Sequence, residues 1–398
     1  MAAPADAAPP ALPPLWIISL LPALGLFTSA VHLPSIPAMA ADFGVGAGPI
    51  QATVTAYLAS MALFCLVVGP MSDRLGRRRV GLAMLFVFLV GSIVALLAGS
   101  VPVLMAARLL QGMGASGGLV LSRSMVKDAL SGPAAAKAAA QVSMAVAVAP
   151  MLAPLFGGYV QQRFGWHANF VVVAALALAL FLFAGRRLVE TLPREHRYAS
   201  DYLAMAAAYV GLLGMRRFLV HTIPVTCGAV GLFSFQTGAP VLLIGGMHVP
   251  PEDYGLYAAT PAAGFMMGTF LTSRIASRVS ERALIEAGCL LFIAAGALIT
   301  LLAWRFAPTP WSVALPMLLF GLGNGLLMPT ATLGSMSAAP LLVGSAAALV
   351  SCLRMGAGSA GSLVIAWLPG GSAMALGAVV SCAGIVAFLS WAWLGRGN

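Results

Sequence analysis

Charge is what this sequence lacks. Only 8% of its 398 residues are Asp, Glu, Lys or Arg, against 61% hydrophobic ones. Soluble domains carry roughly a quarter charged residues, and so few cannot furnish a water-facing surface of this size. A soluble fold is thereby excluded. Acids are scarcest, at 11 Asp and Glu. Asp42, Asp73, Asp128, Asp201, Asp253, Glu190, Glu195, Glu252, Glu281 and Glu286 fall in loops or at the ends of apolar runs, and Asp6 lies near the start of the chain. No run carries a carboxylate in its middle. Cysteine is sparse and unpatterned: Cys65, Cys227, Cys289, Cys352 and Cys382 form no C-x-x-C pair. They read as small apolar helix residues rather than a disulfide or metal framework. H-E-x-x-H is absent and the five histidines are far apart, so neither a metal site nor a hydrolase is expected. The opening "MAAPADAAPPALPPLW" has no basic segment of the kind that begins a signal peptide; residues 1–14 read as a disordered Pro/Ala tail.

Long apolar runs are abundant. A spanning helix needs about 20 mostly apolar residues. Such runs fall at 15–39, 49–71, 79–99, 102–122, 138–160, 168–185, 218–244, 255–273, 283–303, 311–331, 343–367 and 373–394. The fold class expected is therefore all-α integral membrane, with twelve transmembrane helices. The longest separator, 186–217, carries six arginines at the middle of the chain. It divides a six-helix bundle over 15–185 from another over 218–398. Net charge is +10. In a soluble protein that would suggest nucleic acid; here it marks basic cytoplasmic loops, with the lipid bilayer as partner and no nucleic acid. With both termini inside, the cytoplasmic loops collect Arg74, Arg77, Arg78, Arg79, Arg123, Lys127, Lys137, Arg186, Arg187, Arg194, Arg197, Arg216, Arg217, Arg274, Arg278, Arg282 and Arg396. The outer loops hold only Arg163 and Arg305.

The two halves echo each other. "LLQGMG" at 109–114 returns as "LLFGLG" at 318–323, and "SDRLGR" at 72–77 more faintly as "TSRIASR" at 272–278. Duplicated halves are a common transporter architecture, with the site at their interface near the mid-membrane. "GMGASG" fits G-x-G-x-x-G, and "GASGG" around Ser116 fits G-x-S-x-G, but both lie inside an apolar run. Neither has the strand–turn–helix setting its chemistry requires. Small residues that let helices approach closely account for both.

"GPMSDRLGRRRV" at 69–80 packs four arginines, an aspartate, two glycines and a proline between two apolar runs. A positive-inside bias explains the arginines but not Asp73 or the glycine spacing. The motif resembles the signature loop of the major facilitator superfamily, and "GP-x-SDR-x-GRR" resembles that of its bicyclomycin/chloramphenicol-resistance (Bcr/CflA) branch of drug:proton antiporters. "QATVTAYL" (51–58), "RLLQGMGAS" (108–116), "APMLAPLFGG" (149–158) and "ETLP" (190–193) extend the resemblance through the first half. "GAP" (238–240), "FGLGNGLLMP" (320–329) and "GSAAAL" (344–349) continue it more weakly through the second.

The resemblance implies a cytoplasmic latch of Gly69, Asp73, Arg74, Gly76 and Arg77. Asp73 would face the helix start at Gly344 and Ser345 when that side is closed, and Arg77 would link the second and third helices. It also implies an antiporter motif in which Pro154, Gly157 and Gly158 bend the fifth helix and pack it against the other half. Gly69–Pro70 is expected to bend or thin the end of the second helix.

The chain departs from the branch in the first run, "FTSAVHLPSIP" (27–37), where Ala30 stands at the branch's aspartate and His32 at its tyrosine. The cavity set for substrate and protons is then His32, Gln51, Tyr57, Arg108, Gln111 and Arg354. An arginine at membrane depth is costly and by default functional. Arg354 either lines the cavity or snorkels to the cytoplasm. His32 is either a proton carrier, since imidazole titrates near neutrality, or a neutral, hydrogen-bonded structural histidine. The expected function is secondary active efflux of a small amphipathic compound by a monomer in a bacterial cytoplasmic membrane, without a cofactor and driven by protons. An uncoupled facilitator or importer, and a sensor or scaffold that has lost transport, remain as alternatives.

Overall fold

The computed structural model describes residues 13–192, 202–275, 278–339, 342–368 and 372–395. Nearly all of the 1–14 tail, together with Arg194, Arg197 and Arg396, lies outside the described residues. All regular structure among the described residues is helical, and a helix pairs its own backbone groups where hydrocarbon offers them no partner. The helices are α1 (Leu15–Val31), α2 (Ile36–Asp42), α3 (Ala47–Leu75), α4 (Arg77–Leu96), α5 (Val101–Ala129), α6 (Gly132–Phe164), α7 (Trp166–Arg187), α8 (Tyr202–Gly214), α9 (Arg216–Ala239), α10 (Pro251–Ala258), α11 (Thr260–Ile275), α12 (Glu281–Arg305), α13 (Pro310–Ser337), α14 (Val343–Trp367) and α15 (Ala373–Leu394). A 3-10 turn, Leu33–Ser35, joins α1 to α2, and a π segment, Pro240–Gly246, extends α9. Eleven crossings are long and apolar enough to span a bilayer, α1 with α2 counting as one. The twelfth is α10 with α11, broken at Ala259. Pro261 has no N–H to offer the Tyr257 carbonyl, and Thr260 Oγ1 takes that carbonyl instead at 2.8 Å.

Several helices outrun the apolar runs that announce them. The run-based limit of α3 is residue 71, with Gly69–Pro70 bending or thinning its end. In the structure α3 continues through Pro70 to Leu75 and stops at Gly76, whose φ of 96° only glycine adopts freely. Helix α5 continues past 122 to Ala129, because nothing between Arg123 and Ser131–Gly132–Pro133 breaks it. Arg123 and Lys127, assigned above to a loop, are therefore helical. The 186–217 segment contains a helix of its own, α8, with an uncharged, largely apolar sequence.

Two hydrophobic cores organise the chain. One is built almost wholly from α1–α7 and the other from α9–α15. The glycine repeat explains their likeness. A side chain at Gly112 would collide with the Tyr57 carbonyl of α3, and one at Gly321 with the Pro261 carbonyl of α11. Gly114 faces Met84 and Phe88 of α4 as Gly323 faces Gly288 and Phe292 of α12. Equivalent glycines thus seat α5 and α13 on equivalent neighbours, and the dinucleotide-like "GMGASG" is helix-packing surface.

The halves meet through α3 with α14 and through α6 with α10. We call the end carrying Arg74 to Arg79 the basic end. At the far end the seam is tight. Gln51 Nε2 donates to the Thr237 carbonyl at 2.8 Å, Thr55 Oγ1 to Ser362 Oγ at 3.1 Å, and Ser359 Oγ to the Thr55 carbonyl at 3.0 Å. Toward the basic end the contact fades. Nothing described from the opposite half crowds Gly69 or Gly344, and α6 from Gly132 to Val148 buries only Ala138 and Val142 among its described side chains. The molecule is sealed at the far end and open at the basic end.

Candidate functional site: an arginine node, a buried cation and a far-end seal

At the basic end, Arg77 opens α4 and is 7% exposed. Its guanidinium pairs with Asp73 and donates to Ser72 Oγ, both on α3, and its Nε donates to Asp128 Oδ2 on α5 at 2.9 Å. Its backbone N–H donates to Glu190 Oε1 at 2.8 Å, and Thr191 Oγ1 donates to Asp128 at 3.3 Å. Arg78 donates to the Leu188 and Gly185 carbonyls that end α7, at 2.7 and 3.0 Å. Residues 188–192 thus form a strap against the "SDRLGR" junction of α3 and α4. Arg77 joins not two helices but three, plus the strap. Asp73 is bound to Arg77 in this open-ended conformation, not to the start of α14. Arg74 is exposed.

A second cluster lies inside the first bundle. Arg108 is fully buried. Its Nη1 donates to Gln111 Oε1 at 2.8 Å and reaches the Thr28 carbonyl at 3.5 Å, and its Cζ lies 4.3 Å from the centre of the Tyr57 ring. Gln111 Nε2 passes the chain to Ser92 Oγ at 3.1 Å, and Tyr57 donates to the Gly25 carbonyl at 2.6 Å. His32 caps α1 where Pro34 interrupts the span, and lies within Coulombic reach of Arg108. It is 1% exposed, 6.0 Å from Phe170 ring to ring, and neither ring nitrogen meets hydrogen-bond geometry with any described residue. The Thr28 carbonyl faces the imidazole without closing a bond. No carboxylate pairs with Arg108 among the described residues, and its Nε and Nη2 are unsatisfied. His32, Tyr57, Arg108 and Gln111 therefore come together; Gln51 does not, being part of the far-end seam.

The fifth-helix motif serves two contacts. A side chain at Gly157 would overlap the Val31 carbonyl of α1, and one at Gly158 the Pro251 carbonyl of α10. Pro154 is buried one turn earlier. Asn169 Nδ2 uses the carbonyl that Gly157 presents, at 3.2 Å, and also donates to Ser35 Oγ at 3.0 Å. Of the two glycines, Gly158 reaches the other half, as does Leu155 through Gly255 of α10.

Arg354 is half-buried on α14, and its Nε is buried and unpartnered. It lies within Coulombic reach of Arg123 on α5. The sequence reading missed Arg123 because it ended the helix at the last apolar residue; the distance from Arg123 to the next Gly–Pro breaker was the available signal. It missed Asp128 and Glu190 as partners of Arg77 because those contacts are tertiary.

Two bundles of like build, sealed at one end and open at the other around polar groups at membrane depth, define a multi-pass membrane transporter of the twelve-helix, alternating-access class. The family model described as "Major Facilitator Superfamily" matches residues 18–363, and the chain belongs to that family. It is 29% identical over 378 residues to multidrug resistance protein D of Escherichia coli (strain K12), covering 95% of this chain and 94% of that one. It is 27% identical over 357 residues to the bicyclomycin resistance protein homolog of Haemophilus influenzae, covering 88% and 87%. A crystal structure of the peptide transporter POT with alafosfalin superposes with a TM-score of 0.76 at 14% identity, over 96% of this chain and 94% of that one. That likeness concerns the fold.

Proposed function

We propose that the chain is a proton-coupled exporter of small amphipathic compounds, neutral or anionic, in the cytoplasmic membrane of a bacterium. The relatives named for multidrug and bicyclomycin resistance support export of such compounds. The excess of arginine at one end supports a cytoplasmic basic end with both chain termini there. Both walls of the path come from one chain, which supports a working monomer needing no cofactor beyond the proton gradient.

One observation carries the substrate charge: among the described residues no acid lies more than five residues inside a helix, while Arg108, Arg123 and Arg354 lie six or more from either end of theirs. A monovalent cation about 6 Å from one arginine is repelled by roughly 3 kcal/mol at an effective dielectric of 20, over a hundredfold in affinity. Everted vesicles are expected to accumulate neutral and anionic compounds and to leave ethidium and tetraphenylphosphonium outside. Robust accumulation of either cation would overturn the charge assignment.

His32 is the titratable group best placed to carry the proton, because it is buried beside Arg108 with no hydrogen-bond partner. His32→Gln is expected to make transport independent of the pH gradient while substrate still binds. The measurement is uptake with and without a protonophore, and an unchanged protonophore effect would move coupling elsewhere. Ala30, buried where the branch has its acid, favours a second reading, an uncoupled facilitator; there the wild type itself would ignore the protonophore.

For the latch, Asp73 exchanges Arg77 for the start of α14 as the basic end closes. A carboxylate at a helix start gains about 0.3–1 kcal/mol when exposed, present in one state only. Asp73→Asn is expected to slow transport several-fold without altering insertion. Wild-type rates at equal expression would rule the latch out.

A further inference from the structure

Beyond Arg108, the spans hold one more uncompensated pair of cations, drawn from opposite halves. Arg123 is exposed on α5, about 9 Å from that helix's basic end at 1.5 Å per residue. Arg354 is on α14, about 16 Å from its start by the same rise. Helix α3 packs against both α5 and α14, and Arg354 lies within Coulombic reach of Arg123. The stretch of α14 around Arg354 lies against the first half. Cys352 and Met355 pack into the core of the first half, and a side chain at Gly356 would lie 3.9 Å from Ala62. Arg354 thus stands on the second half beside a contact with the first, and Arg123 stands on the first.

Neither arginine has a carboxylate partner among the described residues. The acids nearest the basic end are committed elsewhere. Asp73 and Asp128 pair with Arg77, and Glu190 bonds backbone N–H groups of Arg77 and Leu192. Lys127 and Arg74, both exposed, add to the positive sign of the opening.

Two guanidinium groups that face each other unneutralised resist approach of the walls that carry them. An anion between them removes that resistance, and a planar guanidinium takes two acceptor oxygens of one carboxylate, sulfonate or phosphonate at once. We propose that Arg123 and Arg354 form a two-armed clamp for the anionic group of the transported compound, one arm from each half. Occupancy then favours closing of the basic end, because the anion meets both arms best in the closed state. The ligand class is a small organic anion whose apolar body lies against the apolar walls of the spans. This rests on the transport reading above and narrows it from neutral or anionic compounds to anions.

The test compares naphthalene-1-sulfonate with the uncharged naphthalene-1-sulfonamide, by ligand-induced thermal shift and binding titration on the full chain in nanodiscs. The wild type is expected to prefer the sulfonate. Arg123→Gln and Arg354→Gln are each expected to cut that preference at least tenfold. The double variant is expected to lose little more than either single one, since a clamp needs both arms; a diffuse positive field would give additive losses instead. Arg123→Lys keeps the charge without the fork and is expected to recover part of the preference. Arg123 is exposed, so its variants stay informative even if those of Arg354 fold poorly. Equal preference in wild type and Arg123→Gln, or strictly additive losses, would overturn the clamp. Counter-flow of the same two compounds in proteoliposomes separates the two readings. Arginine-dependent binding without counter-flow keeps the clamp and removes transport. Counter-flow without arginine-dependent selectivity does the reverse.

Discussion

Gly158→Val is expected to cut transport by roughly ten- to a hundredfold while leaving the protein inserted. The substitution puts a branched side chain where α6 meets the Pro251 carbonyl at the start of α10, and Gly255 on α10 is pressed as closely against Leu155. Extra carbons forced into such a contact cost about 1–3 kcal/mol. That cost falls only on conformations in which the far end is sealed, so it depopulates the state described here rather than unfolding the chain. Each 1.36 kcal/mol is tenfold in population. The check is maleimide labelling of Gln51→Cys, at the far-end seam, in a background without the native cysteines. Labelling from the far side should rise as transport falls. Unchanged labelling with wild-type transport would mean that α6 and α10 do not form the seal.

Arg77→Ala is expected to be the most damaging single change at the basic end. The arginine holds Asp73, Ser72 and Asp128 together, and the Asp128 side chain is only 16% exposed. Hydrogen bonds to charged groups contribute about 1.5–3 kcal/mol each, but the Asp73 side chain is 41% exposed and its share is screened. A net loss of about 3 kcal/mol follows, much of it the cost of stranding Asp128. A lower thermal midpoint together with lost transport is the expected result. Arg77→Lys should rescue little, because an ammonium cannot serve three acceptors on two helices in fixed directions. Full rescue by lysine would show that charge alone matters there.

Hydropathy and breakers made the crossings legible, because a bilayer leaves the backbone few options. The repeat was legible too, since Gly112 and Gly321 sit in the same short string. What composition hides is where a helix ends once it leaves the hydrocarbon. Arg123 and Asp128 look like loop residues because they are charged, yet the backbone there has no reason to stop winding. Helix α8 is hidden for the opposite reason, being too short to register as a span within an arginine-rich stretch. At the candidate site, the grouping of His32 with Arg108 could be reached by counting residues inward from the far end. The attachment of Glu190 and Thr191 to the Arg77 loop could not, because those residues are over a hundred positions from the loop and only the packing of α4 on α7 joins them.

The partners of Arg77 bear on how the protein is made. They stand at positions 72, 73, 128 and 190, and Arg78 reaches carbonyls at 185 and 188. All precede the second bundle in order of synthesis, so the first bundle can fasten its own basic end before a ribosome has translated α9. The last stitch comes from the strap after α7. A break placed within 193–201 would leave every one of these bonds on a single piece. Two separately translated halves, cut there and co-expressed, are expected to find each other and work, whereas a cut just before Gly185 would release a first half that cannot fasten itself.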